Sequence, residues 1–189
     1  MMYETRAYTP DGSGHGTGQA SNDKELVLRA MREYGRSKAA QLQEASAEMT
    51  GTELYAQEQY IPDFQAAKAA MNMSQRKVGE NDGFLCRSTA GHVVRLIGSY
   101  DSDVWPGEPE KLSAQWKFVW SKDPKKARPF VAISTSPYNT DECCIYPAED
   151  GVDHVYRSGQ DGNVWLPRTL NVKWTDLGPV GGPFVEEDA

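Results

Sequence analysis

The chain has 189 residues, 39% of them hydrophobic, with 17 Gly, 11 Pro and a net charge of −7, which suits one ordinary domain or two to three small, turn-rich ones. The acidic balance disfavours a general affinity for nucleic acid, no run approaches the ~18 apolar residues of a membrane span, and Met1-Met2-Tyr3-Glu4-Thr5-Arg6 lacks the apolar stretch of a secretory signal. Cys86 and the adjacent Cys143 and Cys144 lack zinc-ligand spacing and read as reduced, buried thiols, with Cys86 and Cys144 at equivalent strand positions.

Residues 10–22 are Gly/Ser-rich and nearly free of apolar side chains, so they bury too little to offset the entropy of ordering. Residues 1–21 therefore read as a flexible tail, with His15 a linker residue. Asn22 stands three residues before Glu25, a helix start with cap and reciprocal acid in place, and the pattern predicts a helix to about Met49. Leu28, Met31, Leu42, Ala45 and Met49 share one stripe, interrupted by Gly35 and Lys38. A helix-interior Gly costs roughly 1 kcal/mol relative to Ala, so this helix needs a neighbour, either a local core or copies of itself. Residues 50–60 form a short helix or a turn. Pro62-Asp63 opens a second helix carrying Phe64, Ala67, Ala70, Met71 and Met73, with Arg76 and Lys77 in its last turn and Gly79 as its stop. Residues 22–78 together read as a helical attachment or oligomerisation segment.

After Gly79 the pattern changes to short apolar runs separated by turns. Residues 84–86, 92–97 and 115–120 are three predicted strands of a first β module at 79–122, with 99–112 as a loop. Residues 123–139 connect, through a strand at 129–134, and the basic cluster 122–128 is either a solvated connector or a docking patch for an anion. Residues 142–146, 154–157 and 172–176 are the strands of a second β module at 140–178. Residues 179–189 are a loose, acidic tail. The expected fold class is α+β, an N-terminal helical segment followed by two tandem small antiparallel β modules.

The second module repeats the first. His92-Val93-Val94-Arg95, Asp101, Val104-Trp105-Pro106 and Trp116 return as His154-Val155-Tyr156-Arg157, Asp161, Val164-Trp165, Pro167 and Trp174. The period is about 60 residues, longer than solenoid repeats. The order Val155-Tyr156-Arg157-Ser158, Asp161, Val164-Trp165, Pro167 and Trp174 resembles the small chitin-binding modules of carbohydrate-binding module families 5 and 12. It is most similar to the degenerate tandem versions in tail and baseplate proteins of phages that infect Gram-positive bacteria, where a helical part carries a run similar to Gly51-Thr52-Glu53-Leu54 and Ile61-Pro62-Asp63. The similarity covers about residues 50–178. Chitin-binding members carry adjacent aromatics just after the motif Tyr, and here Ser158-Gly159-Gln160 and Leu96-Ile97-Gly98-Ser99 stand in that place.

The resemblance implies a virion protein, made in the host cytoplasm, whose partners are other virion proteins, further copies of itself and a bacterial surface glycan. A host-glycan adhesin and the binding part of a cell-wall hydrolase are the alternatives. A sugar site needs an exposed aromatic face and a few fixed polar groups. The candidates are Trp105 with Tyr100 in the first module and Trp165 with Tyr156, Asp161 and Asn163 in the second. Trp116 and Trp174, on terminal strands, are expected in the core, where truncating Trp174 would unfold its module. Trp105 and Trp165, in loops beside Pro, are expected to pack on the sheet, contact glycan or contact protein. His92 and His154 read as structural residues, and Arg95 and Arg157 as partners of Asp101 and Asp161. No catalytic, metal or cofactor motif is visible, so the expected class is a binding protein rather than an enzyme, without cofactor.

Overall fold

The computed structural model describes residues 17–184, with side chains from Asn22 onward. Of the expected flexible tail at 1–21, residues 1–16 with His15 lie outside that range, as do the last five residues of the chain, while residues 17–21 are helical rather than tail. The fold is α+β. Two compact units divide the chain, residues 1–37 and 38–189.

Helix α1 runs Thr17–Ala45, so it begins ahead of Asn22, which is not its cap. In the first unit its residues Leu26, Val27, Leu28, Met31 and Tyr34 are exposed. In the second unit its last turns carry the buried Leu42, and a short 3-10 turn, Ser46–Glu48, follows. Helix α2, Gly51–Ala56, starts on a capping box: Glu53 N–H donates to Thr50 Oγ1 at 3.3 Å, and Thr50 N–H donates to Glu53 Oε2 at 2.7 Å. Gly51 is required there, since a Cβ would fall 1.8 Å from the Trp120 carbonyl oxygen. Helix α3, Phe64–Ala70, is capped by Asp63, whose carboxylate accepts from Ala66 N–H. It ends well short of the expected stop at Gly79. Met71 turns extended, Asn72 caps a new 3-10 turn at Met73–Gln75, and Arg76 donates to the Ala67 carbonyl at 2.7 Å.

Strands β1 (Leu85–Arg87), β2 (Val93–Leu96) and β3 (Trp116–Val119) form an antiparallel sheet in that order. Strands β4 (Arg128–Pro129), β5 (Cys143–Pro147), β6 (Asp153–Ser158) and β7 (Trp174–Pro179) form the second. The second sheet is mixed, not antiparallel as expected, because β4 pairs parallel with β5. The expected connector strand shrinks to two residues at that edge, where Pro129 has no N–H to give.

The duplication is visible in the register. Leu85 pairs with Arg95, Cys86 with Val94 and Leu96 with Trp116, and in the second sheet Cys143 pairs with Arg157, Cys144 with Tyr156 and Ser158 with Trp174. The match runs as far as Val94 and Tyr156; beyond it a β-bulge in the second sheet shifts the pairing by one, so Val155 meets Gly178 where Val93 meets Val119. Alternation along the strands then gives each sheet two faces. The inner faces, with Cys86, Val94, Trp116 and Phe118 from the first sheet and Cys144 and Tyr156 from the second, lie in one core with Phe64, Ala67, Met73, Ile133 and Tyr138. The outer face of the first sheet, Leu85 and Val93, packs with Leu42, Leu54, Tyr55 and Ile61. That of the second sheet, Cys143, Val155 and Leu177, packs with Ala127.

The basic cluster is part of this framework. Lys126 Nζ lies 2.9 Å from Glu58, whose other carboxylate oxygen pairs with Arg128. Burial alone would raise the Glu58 carboxyl, but the Lys126 and Arg128 contacts outweigh it and hold it below the usual range.

Candidate functional site

Two loops stand out as a matched pair. Trp105 is 61% exposed and Trp165 60%, each four residues after the repeated aspartate. That aspartate anchors the loop in both repeats. Asp101 accepts from Asn72 Nδ2 at 2.8 Å and from Asp103 N–H at 2.9 Å. Asp161 accepts from the Thr140 N–H and hydroxyl, both at 2.8 Å. These bonds lower both carboxyls from their ordinary values, through Asn72 first for Asp101 and the Thr140 backbone first for Asp161. Further anchors fix the rest of each loop: Lys68 Nζ donates to the Pro106 carbonyl, and Trp174 Nε1 donates to the Trp165 carbonyl at 3.0 Å. The indoles are therefore presented on fixed backbone while their faces stay in water. Val104 beside the first, and Leu166 and Leu170 beside the second, are exposed as well, which gives each loop an apolar surface.

The other expected contacts are placed differently. Asn163 is completely buried and staples its loop: it bridges Tyr138 through both backbone groups, donates to Ser158 Oγ and accepts from Trp165 N–H. It is a scaffold residue, because a loop crossing the sheet end must satisfy its backbone internally. Tyr100 and Tyr156 are also buried, Tyr100 receiving Trp116 Nε1–H at 3.3 Å. Each tyrosine nevertheless takes part in lining a groove.

The first groove, about 450 Å³, is lined by Tyr100, Trp105, Leu112 and Gln115 with Asp101 and Ser99. The second, about 550 Å³, has Tyr156, Trp174 and Val172 against Glu149, Asp150, Asp176 and Arg168. Trp174 was expected in the core. It borders the core instead, in contact with Phe130 and Tyr138, whereas Trp116 is fully buried beneath Phe64 of α3 and Tyr100. No helix plays the part of α3 over Trp174 among the described residues, so its ring edge stays open. The sequence signal for this was the lack of any helical pattern before the second repeat.

The repeated histidines are satisfied by acceptors. His92, buried, lies 2.6 Å from Glu110 and 2.8 Å from the Pro129 carbonyl. Burial would raise Glu110, but its bonds from His92 and Ser88 leave the carboxyl lowered. His154 Nδ1 sits 2.8 and 2.9 Å from the two Asp176 oxygens. The arginines do not reach the loop aspartates. Arg95 donates instead to Ser46 Oγ, the Ser46 carbonyl and the Gly83 carbonyl, because side chains on the outer face of β2 point away from the loop.

Among the described residues no helix is long and apolar enough to cross a membrane. The chain shows no match to a family model, to a curated protein or to a solved structure. Chemically, the two loops and grooves offer flat apolar faces beside hydrogen-bonding groups, an arrangement suited to stacking and binding.

Proposed function

We propose that this chain is a phage virion structural protein, of tail, baseplate or fibre, whose two carbohydrate-binding-like modules hold a surface through Trp105 and Trp165. The observation that carries the binding role is the equal exposure of these two indoles, 61% and 60%, at equivalent places of a duplicated module. Water-exposed Trp on anchored backbone lowers stability little and offers a large contact area at small entropic cost. The virion setting is supported by the order of motifs shared with phage modules of this type. Two such sites on one chain would act together, so that weak single contacts add through effective concentration.

Pull-down on chitin and on Gram-positive cell-wall polysaccharide, and on purified virion particles, tests this reading. Retention by one of these surfaces, reduced in Trp105→Ala and in Trp165→Ala and lost in the double variant, is the expected outcome. Full retention by the folded double variant would refute it. A host-glycan adhesin is the second reading, favoured by the groove of Tyr156 and Trp174 with its acidic wall. With Trp105 and Trp165 as its contacts and the groove beside them, it predicts retention on polysaccharide but not on virion particles, weakened by Trp105→Ala and Trp165→Ala and also by Trp174→Phe.

A further inference from the structure

The two repeats share strand register up to the β-bulge in the second sheet, but not their outer cover. On the first sheet the outer-face residues Leu85 and Val93 are buried by Leu42 of α1 and Leu54 and Tyr55 of α2. Leu85 N–H donates to the Gln43 amide oxygen at 2.9 Å, and Arg95 gives its guanidinium to the Ser46 carbonyl and hydroxyl at 2.9 and 3.1 Å. The end of α1 thus both covers that face and satisfies its arginine. By register, the equivalent positions on the second sheet are Cys143, Val155 and Arg157.

There the same face is partly closed by the single 3-10 turn Pro124–Lys126 and by Ala127, which packs with the buried Cys143, Val155 and Leu177, and it carries no α-helix among the described residues. It carries a groove of about 440 Å³, mainly apolar, in which Ile145, Val155, Val180 and Phe184 take part and Lys125 stands at the edge. Arg157 Nε, the counterpart of the satisfied Arg95, is buried without a hydrogen-bond partner, a state that costs free energy until an acceptor arrives. An α-helical cover is what the first repeat has, whereas the second has one 3-10 turn with an open groove beside it.

Among the described residues, α1 also has an apolar side that nothing covers. Val27, Leu28 and Met31 of α1 are exposed and share one side, with Glu25 and Arg32 bordering it and Arg29 and Arg36 on the far side of the helix. Leu28 stands two heptads before Leu42, so it extends the same stripe that already packs on the first sheet. Most helical stability in proteins comes from packing an amphipathic face rather than from propensity, so this apolar side is suited to a partner.

We propose that the exposed stretch of α1 from one copy docks on the outer face of the second sheet of another copy, in the groove of Val155, Val180 and Phe184. The continuity of this stretch with the helix end that covers the equivalent face is the reason to assign a second copy as occupant. The contact is heterologous, a helix of one chain in a groove of the next, and so builds a ring or a filament rather than a closed pair. It goes beyond the proposed function and does not depend on it, because neither Trp105 nor Trp165 takes part.

Mixing two variants of the full chain tests it. Leu28→Glu with Met31→Glu removes the helix face and leaves the groove. Val180→Glu with Phe184→Glu removes the groove and leaves the helix. These positions are exposed or half-buried, and circular dichroism confirms that both variants remain folded. In sedimentation velocity over a dilution series, the parent is expected to associate, each variant to remain monomeric, and their equimolar mixture to form a two-chain complex and stop there. A monomeric parent, a mixture that stays monomeric, or a groove variant that associates like the parent would overturn the proposal. The last result would mean that the helices pair with each other. Surface retention measured by pull-down is read separately, so failure here leaves the role of the two indoles standing.

Discussion

Replacing Trp116 by Ala removes an indole that is fully buried, edge-on to Phe64 at 5.7 Å and to Tyr100 at 6.2 Å, and hydrogen-bonded to the Tyr100 hydroxyl. A buried Trp takes about 150–250 Å² out of water, which at ~25 cal/mol/Å² is about 4–6 kcal/mol, in line with measured truncations of ~3–5 kcal/mol. Against a total stability of about 5–15 kcal/mol, Trp116→Ala leaves a fold near its limit. With a urea slope of roughly 2 kcal/mol/M, the midpoint should fall by about 2 M. Trp105→Ala, at an exposed site, should stay within ~0.5 kcal/mol of the parent. Trp174→Ala loses ring contacts with Phe130 and Tyr138, worth about 1–3 kcal/mol together, and falls between them. Because residues of both sheets lie in one core, each variant should shift a single transition rather than melt one repeat alone. The assay is urea unfolding followed by circular dichroism and fluorescence. Two separate transitions, or a Trp105→Ala shift as large as that of Trp116→Ala, would refute the reasoning.

Arg95→Met strips the Ser46 and Gly83 acceptors of their donor and should cost about 1–3 kcal/mol, whereas Arg157→Met, at an arginine whose Nε is unpartnered, should leave the melting of the monomer unchanged or raised; equal losses in thermal melts would contradict the contrast. Burial raises the Glu142 carboxyl, so its folded-state value exceeds the unfolded one and its contribution is lost as pH rises. Glu142→Gln should therefore raise the melting temperature at neutral pH and leave it unchanged at acid pH. Glu58 and Glu110 are lowered, so their stabilisation holds above the unfolded carboxylate value of about 4.3 and disappears as pH falls below it. Glu58→Gln should flatten the acid limb of a stability–pH profile, and an unchanged limb would remove Glu58 from the account. Gly35 has open space where its Cβ would be, so Gly35→Ala should stabilise α1 by roughly 0.5–1 kcal/mol, seen as greater helicity, and a loss of helicity would show that the position is crowded.

Much of this protein is local chemistry. The capping box at Thr50 and Glu53, the Asp63 cap and the alternation along β2 are fixed by neighbours within a few residues, and so the element types follow from the chain alone. The repeat of His, Val, Arg, Asp and Trp also indicated, without coordinates, that two strand meanders correspond and that Trp105 and Trp165 are equivalents, but not the β-bulge at Val155 and Tyr156 that shifts the second sheet's pairing. What the sequence did not determine is which face of each repeat is covered, because that depends on residues far away in the chain. Phe64 closes over Trp116 across 52 positions, while nothing comparable closes over Trp174 among the described residues. Asn163 looks like any loop amide until Tyr138 and Ser158 surround it. Arg95 and Arg157 are identical in local sequence logic and opposite in fate, because the end of α1 meets one and not the other. Burial is a property of what arrives from elsewhere, and repeated residues diverge when only one copy receives a partner.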